Sequence, residues 1–363
     1  MATARDRLRG RVSTARDRLR GAGADRLAVG ISAGSLVALT LVVGGLRLAG
    51  QTIPLRTQAV AYLVGMVALN LPHGGYEHFA NLRRRAAEFR WRYVAGYLAF
   101  VAGGIGLFLV APVVGLLVAV SVVVAKGGGG DLYVLAATTG AGHLRSRAQR
   151  LLAVAARGGA AMAVPIVVFP ETFHSFSSIM VAVFDPGALA PVSTYFDVTR
   201  PLIGVGYAAV VTAHLGVGFW RRDGSGSWIV DAGETLLLAT YFAVVPVVLA
   251  VGLYFPLWYS ARQVAREMAV DDDPGTGRDL LTDDGSASAG SVALRAWGVL
   301  IGGAMATGLV VAAVWIAAPN PLGGAGLLLG GVAFWSIAIS IVALPHVVVG
   351  SVLDRGRGIW HVP

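Results

Sequence analysis

The chain has 363 residues, of which 56% are hydrophobic and only 13% charged, where soluble domains carry roughly 25% charged residues. Its mean hydropathy of +0.69 excludes a soluble globular enzyme, a disordered chain and a secreted disulfide scaffold, and the lack of cysteine removes thiolate metal sites, iron–sulfur clusters and cysteine nucleophiles. The net charge of +9 gathers at the ends of apolar runs, which is the positive-inside pattern of a polytopic membrane protein and not a nucleic-acid-binding surface.

Residues 1–26 have no apolar core of the kind a signal peptide needs. They repeat ARDRLRG at 4–10 and 15–21, and a period of eleven puts both copies on one helix face. This basic segment reads either as a cytoplasmic surface helix on anionic headgroups or as a solvated tail. Membrane spans are then expected at 27–49, 57–72, 93–110, 111–125, 152–170, 201–220, 234–258, 296–317 and 325–350, because each run is apolar over roughly the length that crosses a bilayer. A further apolar piece at 131–142 follows four glycines, 127–130, whose backbone freedom predicts a helix break. It is therefore expected as half a span or a re-entrant segment. The stretch 171–200, with Glu171, Asp185 and Asp197, is expected as a loop that contains His174. The acidic Gly/Ser-rich stretch 267–290 cannot form a core and divides the membrane domain into 27–266 and 291–363. The expected fold class is thus all-α, a helical integral membrane protein of about 8–10 spans in one bundle. The arginines of the N-terminal segment, of 79–92, of 143–157 and at 221–222 fall on one side when the spans are counted, so the N-terminus is expected to be cytoplasmic and the protein to sit in the cell membrane.

Ionisable groups inside apolar runs mark function or pairing. Here they are His73, Glu77 and His78 in LPHGGYEHF, Lys126 and Asp131 beside the glycines, His214, Glu234 and His346. His73 and Glu77 share a helix face; they suit a metal, an imidazole oriented by a carboxylate, or a histidine bonded across helices. AKGGGGDL at 125–132 reads as an anion nest or as a broken helix lining a cavity. Tyr254, Phe255, Trp258 and Tyr259, followed by Arg262 and Arg266, read as an interfacial aromatic belt with headgroup-facing arginines.

Taken together and in order, five segments carry a family resemblance. PHGGYEH at 72–78 resembles the PHG-x-x-DH signature of the Brp/Blh family of membrane β-carotene 15,15'-dioxygenases, and KGGGGD at 126–131 stands where that family has H-x-G-x-x-D. RGGAAMAVPIVVFPETF at 157–173 is similar to the family's RG…P…P segment, LYFPLWYSARQ at 253–263 to YF-x-x-WHS-x-RH, and LPHVVVGSVLDR at 344–355 to the C-terminal PH…DR. The resemblance implies a helical membrane enzyme that holds non-haem Fe2+ through histidines and splits β-carotene with O2 at its central double bond into two retinals. It also implies a carotenoid or retinal as ligand, a rhodopsin as a partner, and the bilayer as the medium.

Carried over by position, the four iron ligands fall on His73, Lys126, Tyr259 and Gln263, so one of four imidazoles is retained. Glu77 stands for the motif aspartate; Asp131 and Arg262 are retained, with His78 and His346 as supporting residues. Two readings follow from the resemblance. In one, substitute ligands such as His78, Glu77 or Tyr259 keep the dioxygenase active. In the other, the chain is a non-catalytic relative that binds a carotenoid or retinal, or associates with a rhodopsin. Lys126 is the one lysine of the chain. It either snorkels or pairs with Asp131, or it forms a Schiff base with the retinal that the family chemistry makes.

Overall fold

The computed structural model describes residues 27–69, 90–270 apart from 223 and 225, and 289–353. The basic repeat, His73, Glu77, His78, the arginines at 83–85 and His361 lie outside the described residues, as does 271–288 of the expected linker. Its flanks, 267–270 and 289–290, are helical. Among the described residues every regular element is a helix.

The order is α1 (Leu27–Leu48), α2 (Leu55–Leu63) running on into a π turn at Val64–Leu69, α3 (Arg90–Val110), α4 (Pro112–Thr138), α5 (Arg147–Val168), α6 (Pro170–Ala182), α7 (Phe196–Trp220) and α8 (Ser227–Val244). Then come α9 (Val247–Tyr254), a second π turn at Phe255–Ser260, α10 (Ala261–Val270), α11 (Ala289–Ala317) and α12 (Leu327–Leu353). Among the described residues, five helices are long and apolar enough to cross a membrane: α1, α4, α5, α7 and the Leu327–Val348 portion of α12. Leu55–Ala68, Val94–Val110 and Ile301–Ala317 are shorter apolar helices. The chain is thus an all-α, multi-pass helical protein.

Local sequence explains most boundaries. Pro112 and Pro170 open α4 and α6 from the first turn, where a missing N–H is harmless. Ser146 and Gln149 form a capping box at the start of α5, each satisfying a donor left open by the helix end. Arg221 donates to Gln149 Oε1 at 2.8 Å, which places the end of α7 and the arginine-bearing start of α5 at the same end of the bundle.

Several expectations are corrected. Residues 111–125 and 131–142 are not two pieces: α4 runs through Gly127–Gly130 without a break. A Cβ on Gly128 would meet the Val154 carbonyl, and one on Gly158 the Val124 carbonyl, so the glycines let α4 and α5 touch backbone to backbone, as small residues do between membrane helices. Where water is scarce the backbone bonds hold the helix together despite glycine's freedom. The span expected at 234–258 divides instead at Val245, which is extended (ψ 130) ahead of Pro246, because a residue before proline is pushed out of the helical region. The expected loop at 171–200 contains α6, so His174 is helical.

The aromatic belt is also corrected. Tyr254, Phe255, Trp258 and Tyr259 are 9% exposed or less and belong to one core cluster with Tyr62, Met66 and Tyr241. Pro256 has no N–H to give to an α-turn, and the chain passes it in the second π turn, a widening common at functional sites. That turn packs against the first one, and α2 approaches α9 where Gly65 lies on the Gly252 carbonyl.

Candidate functional site

The middle of α4 is the wall on which the site is built. Gly130 faces Tyr259 and Gln263 so closely that a Cβ there would come within 2.8 Å of the phenol ring and 2.7 Å of the Gln263 amide nitrogen. One turn earlier, Lys126 places Nζ 5.4 Å from the centroid of the Tyr259 ring. Lys126, Tyr259 and Gln263, far apart in sequence, therefore meet on one face of α4, against the second π turn and α10. Tyr259 and Gln263 are one helical turn apart and both are buried.

Beside them lies a buried ionic network. Arg157, on α5, donates from Nε to Asp131 Oδ2 at 2.7 Å and from Nη1 to Asp231 Oδ1 at 2.6 Å, and it also bonds Glu234. Arg262 grips the same Glu234 with both terminal nitrogens, at 2.6 and 2.8 Å, and its Nε lies 2.9 Å from Asp131 Oδ1. Its guanidinium stacks 4.3 Å above the Trp258 ring. His143 bonds Asp231 Oδ2 at 2.8 Å through Nε2 and Ser227 through Nδ1 at 2.9 Å, and His214 Nε2 is 3.2 Å from the same carboxylate oxygen. Charges removed from water are tolerated only when paired and hydrogen-bonded, and this network ties α4, α5, α8 and α10 together. Because Arg262 sits between Tyr259 and Gln263 on the same run of chain, its two acid partners fix where those side chains stand against α4.

An apolar cavity of about 120 Å³ lies along α4 on the other side. Tyr62, Met66, Val123, Phe173, Phe255 and Val332 are among its lining. Val123 is three residues before Lys126 and so near it on the α4 surface. Phe255 is stacked edge-on to Tyr259 with ring centroids 5.9 Å apart. Two lining residues of the cavity thus neighbour Lys126 and Tyr259.

Of the residues the sequence singles out, Lys126, Asp131, Glu234, His214, Tyr259, Arg262 and Gln263 gather here. Arg262 and Arg266 are 1% exposed, which corrects their reading as headgroup arginines. His346 is elsewhere, with Nδ1 3.1 Å from the Val342 carbonyl and its ring edge-on to Tyr97. Three members of the network were not legible as such. Arg157 counts by sequence among the topological arginines of 143–157, yet it is 1% exposed; its position deep in the run LLAVAARGGAAMAV is the signal. Asp231 and Glu234, three apart and on one face of an apolar helix, are a second. His143 carries none.

The donor set can be tested against the ferrous ion that the resemblance implies. Of the four positions, the three described ones offer an amine, a phenol and a carboxamide. An Fe(II) site with open positions takes about three good ligands of the imidazole and carboxylate kind, and among the described residues no group of three histidines, cysteines or acids is placed to hold a metal. These three positions do not fit ferrous iron.

Comparison with known proteins gives a consistent picture. The family model for beta-carotene 15,15'-dioxygenase matches residues 64–354. A Halobacterium salinarum (strain ATCC 29341 / DSM 671 / R1) protein described as "Probable beta-carotene 15,15'-dioxygenase Brp" is 53% identical over 343 residues, covering 93% of this chain and 95% of the relative. A second protein, from strain ATCC 700922 / JCM 11081 / NRC-1 and described as "Probable beta-carotene 15,15'-dioxygenase Blh", is 34% identical over 341 residues, 92% of this chain and 93% of its own. No solved structure matches the chain.

Proposed function

The chain belongs to the β-carotene 15,15'-dioxygenase family, and we propose on that premise that it takes β-carotene, or the polyene aldehyde that central cleavage yields, from the bilayer into the cavity along α4. The observation that carries this reading is the apolar cavity, whose lining residues Val123 and Phe255 neighbour Lys126 and Tyr259, two of the positions onto which the family's iron ligands carry over. An apolar polyene reaches such a site laterally through lipid, and the cavity wall excludes water from it. The arginine distribution supports a cytoplasmic N-terminus.

Within the family function, one observation favours holding the polyene over cleaving it: the donor set at Lys126, Tyr259 and Gln263. The purified chain is accordingly expected to carry well under one iron per molecule. Expression in cells that accumulate β-carotene separates the two readings. A co-purifying carotenoid without new retinal supports the binding reading. Retinal formed in step with expression of the chain, and lost on His73→Ala, establishes the cleavage reading in its place.

The Lys126 amine gives the binding reading a sharper form. Its nitrogen lone pair adds to the aldehyde carbon, the aldehyde oxygen leaves as water, and an imine joins Nζ to the polyene. Incubating the protein with all-trans-retinal and reducing with borohydride is expected to leave a retinyl adduct on the peptide that contains residue 126, absent in Lys126→Arg. An adduct confined to the N-terminal amine, or none at all, removes the covalent role.

A further inference from the structure

Asp231 of the ionic network lies in the first turns of α8; at the other end of that helix is a second hollow, of about 230 Å³. Arg47, Gln51, Gln58 and Phe169 bound it, and it shares Thr172 and Val247 with the apolar cavity, so a long ligand lying in the cavity extends into the hollow. The lining of the hollow is mostly apolar but includes Arg47, Gln51 and Gln58, and two of these are held in place. Gln58 is 8% exposed. Its Nε2 donates to the Ile53 carbonyl at 2.8 Å, which fixes the plane of the amide, while its Oε1 is buried with no protein partner among the described residues. Arg47 crosses the mouth with its guanidinium 5.3 Å from the Phe169 ring centroid. It donates from Nη1 to the Ala243 and Val244 carbonyls, at 3.3 and 2.9 Å, which satisfies the open end of α8 and holds the arginine there.

The hollow thus offers a ligand one buried acceptor and a fixed cationic donor, where the apolar cavity offers almost neither. A hydrocarbon end would leave Gln58 Oε1 unsatisfied, at the cost that any buried orphan acceptor carries. A group that donates one hydrogen bond and accepts another satisfies both residues at once, and a hydroxyl is the smallest such group. We infer that this hollow is a subsite for the hydroxyl-bearing end of a polyene, with the hydroxyl donating to Gln58 Oε1 and accepting from Arg47. The inference rests on the cavity being the polyene site, and it extends the ligand class from the bare hydrocarbon to ring-hydroxylated carotenoids.

The test uses the full chain purified in detergent, with quenching of its tryptophan fluorescence as the readout, and compares β-carotene with its 3-hydroxy derivative. The hydroxylated ligand is expected to bind several-fold and up to about tenfold more tightly, the range that one net hydrogen bond supplies. In Gln58→Leu the two affinities converge. In Gln58→Glu, which keeps an acceptor at that position, the preference persists, and thermal melts of both variants report whether the bond to Ile53 matters for the fold. Equal affinities in the folded parent overturn the inference and leave the cavity reading standing, because β-carotene still binds. Failure of both ligands to bind ends the cavity reading itself. Loss of the preference on adding monoolein, with β-carotene binding unchanged, assigns the hollow to the glycerol hydroxyl of a bilayer lipid and equally overturns the inference.

Discussion

Replacing Arg157 by alanine is expected to destabilise the folded chain by about 3–5 kcal/mol, the penalty for removing one partner from a buried ion pair. Against a total stability of roughly 5–15 kcal/mol for a typical protein, this removes a large share of the margin. The reason is geometric. One guanidinium serves Asp131, Asp231 and Glu234, so its loss leaves Asp131 and Glu234 to Arg262 and Asp231 to His143 and His214. Arg157→Lys is expected to recover little, because an ammonium cannot reproduce the planar fork that reaches three carboxylates. Thermal unfolding of the solubilised protein measures the effect. A midpoint within a few degrees of the parent would show that the network does not hold the bundle together. Arg262→Ala should be nearly as severe, and it should also disturb Tyr259 and Gln263, which flank it.

The second large effect is a gain. Changing Lys126, Tyr259 and Gln263 together to histidine is expected to raise bound iron from well under one to about one per chain. Tyr259 and Gln263 are one turn apart, so histidines there share a helix face as a chelating pair, and Gly130 leaves room for them against α4. Lys126 lies one turn away from that glycine on the same helix, which brings the third imidazole to the same place. Metal analysis of the parent and the triple variant, side by side with their melts, is the measurement. A triple variant that folds and binds no more iron than the parent would show that these three positions are not equivalent to the family's ligand positions.

How much of this was legible before any coordinates depends on the range over which each feature is decided. A membrane span is a local property: each helix satisfies its own backbone groups, so an apolar run of sufficient length declares itself. The all-α, multi-pass architecture and most helix positions followed from hydropathy for that reason. The pairing of Tyr259 with Gln263 across one helical turn followed from spacing, and the ordered motifs alone carried the family.

Features that depend on a partner elsewhere in the chain were not legible. Arg157 meets Asp131 across 26 positions and Asp231 across 74; its place in an apolar run hints at burial, but nothing local says which acids it meets. The same holds for the 125–132 stretch: four glycines in isolation favour a break, and only the close approach of α5, which any side chain at Gly128 would prevent, makes them part of a continuous helix. Trp258 and Arg262 have the composition of an interface and the position of a core, because the π turn at Pro256 and the carboxylates of Asp131 and Glu234 draw them inward. Sequence determined that this chain lives in a bilayer and which family it resembles. Tertiary packing decided which of its charges pair, because in a low-dielectric interior a charge is stable only where distant helices bring an opposite one to it.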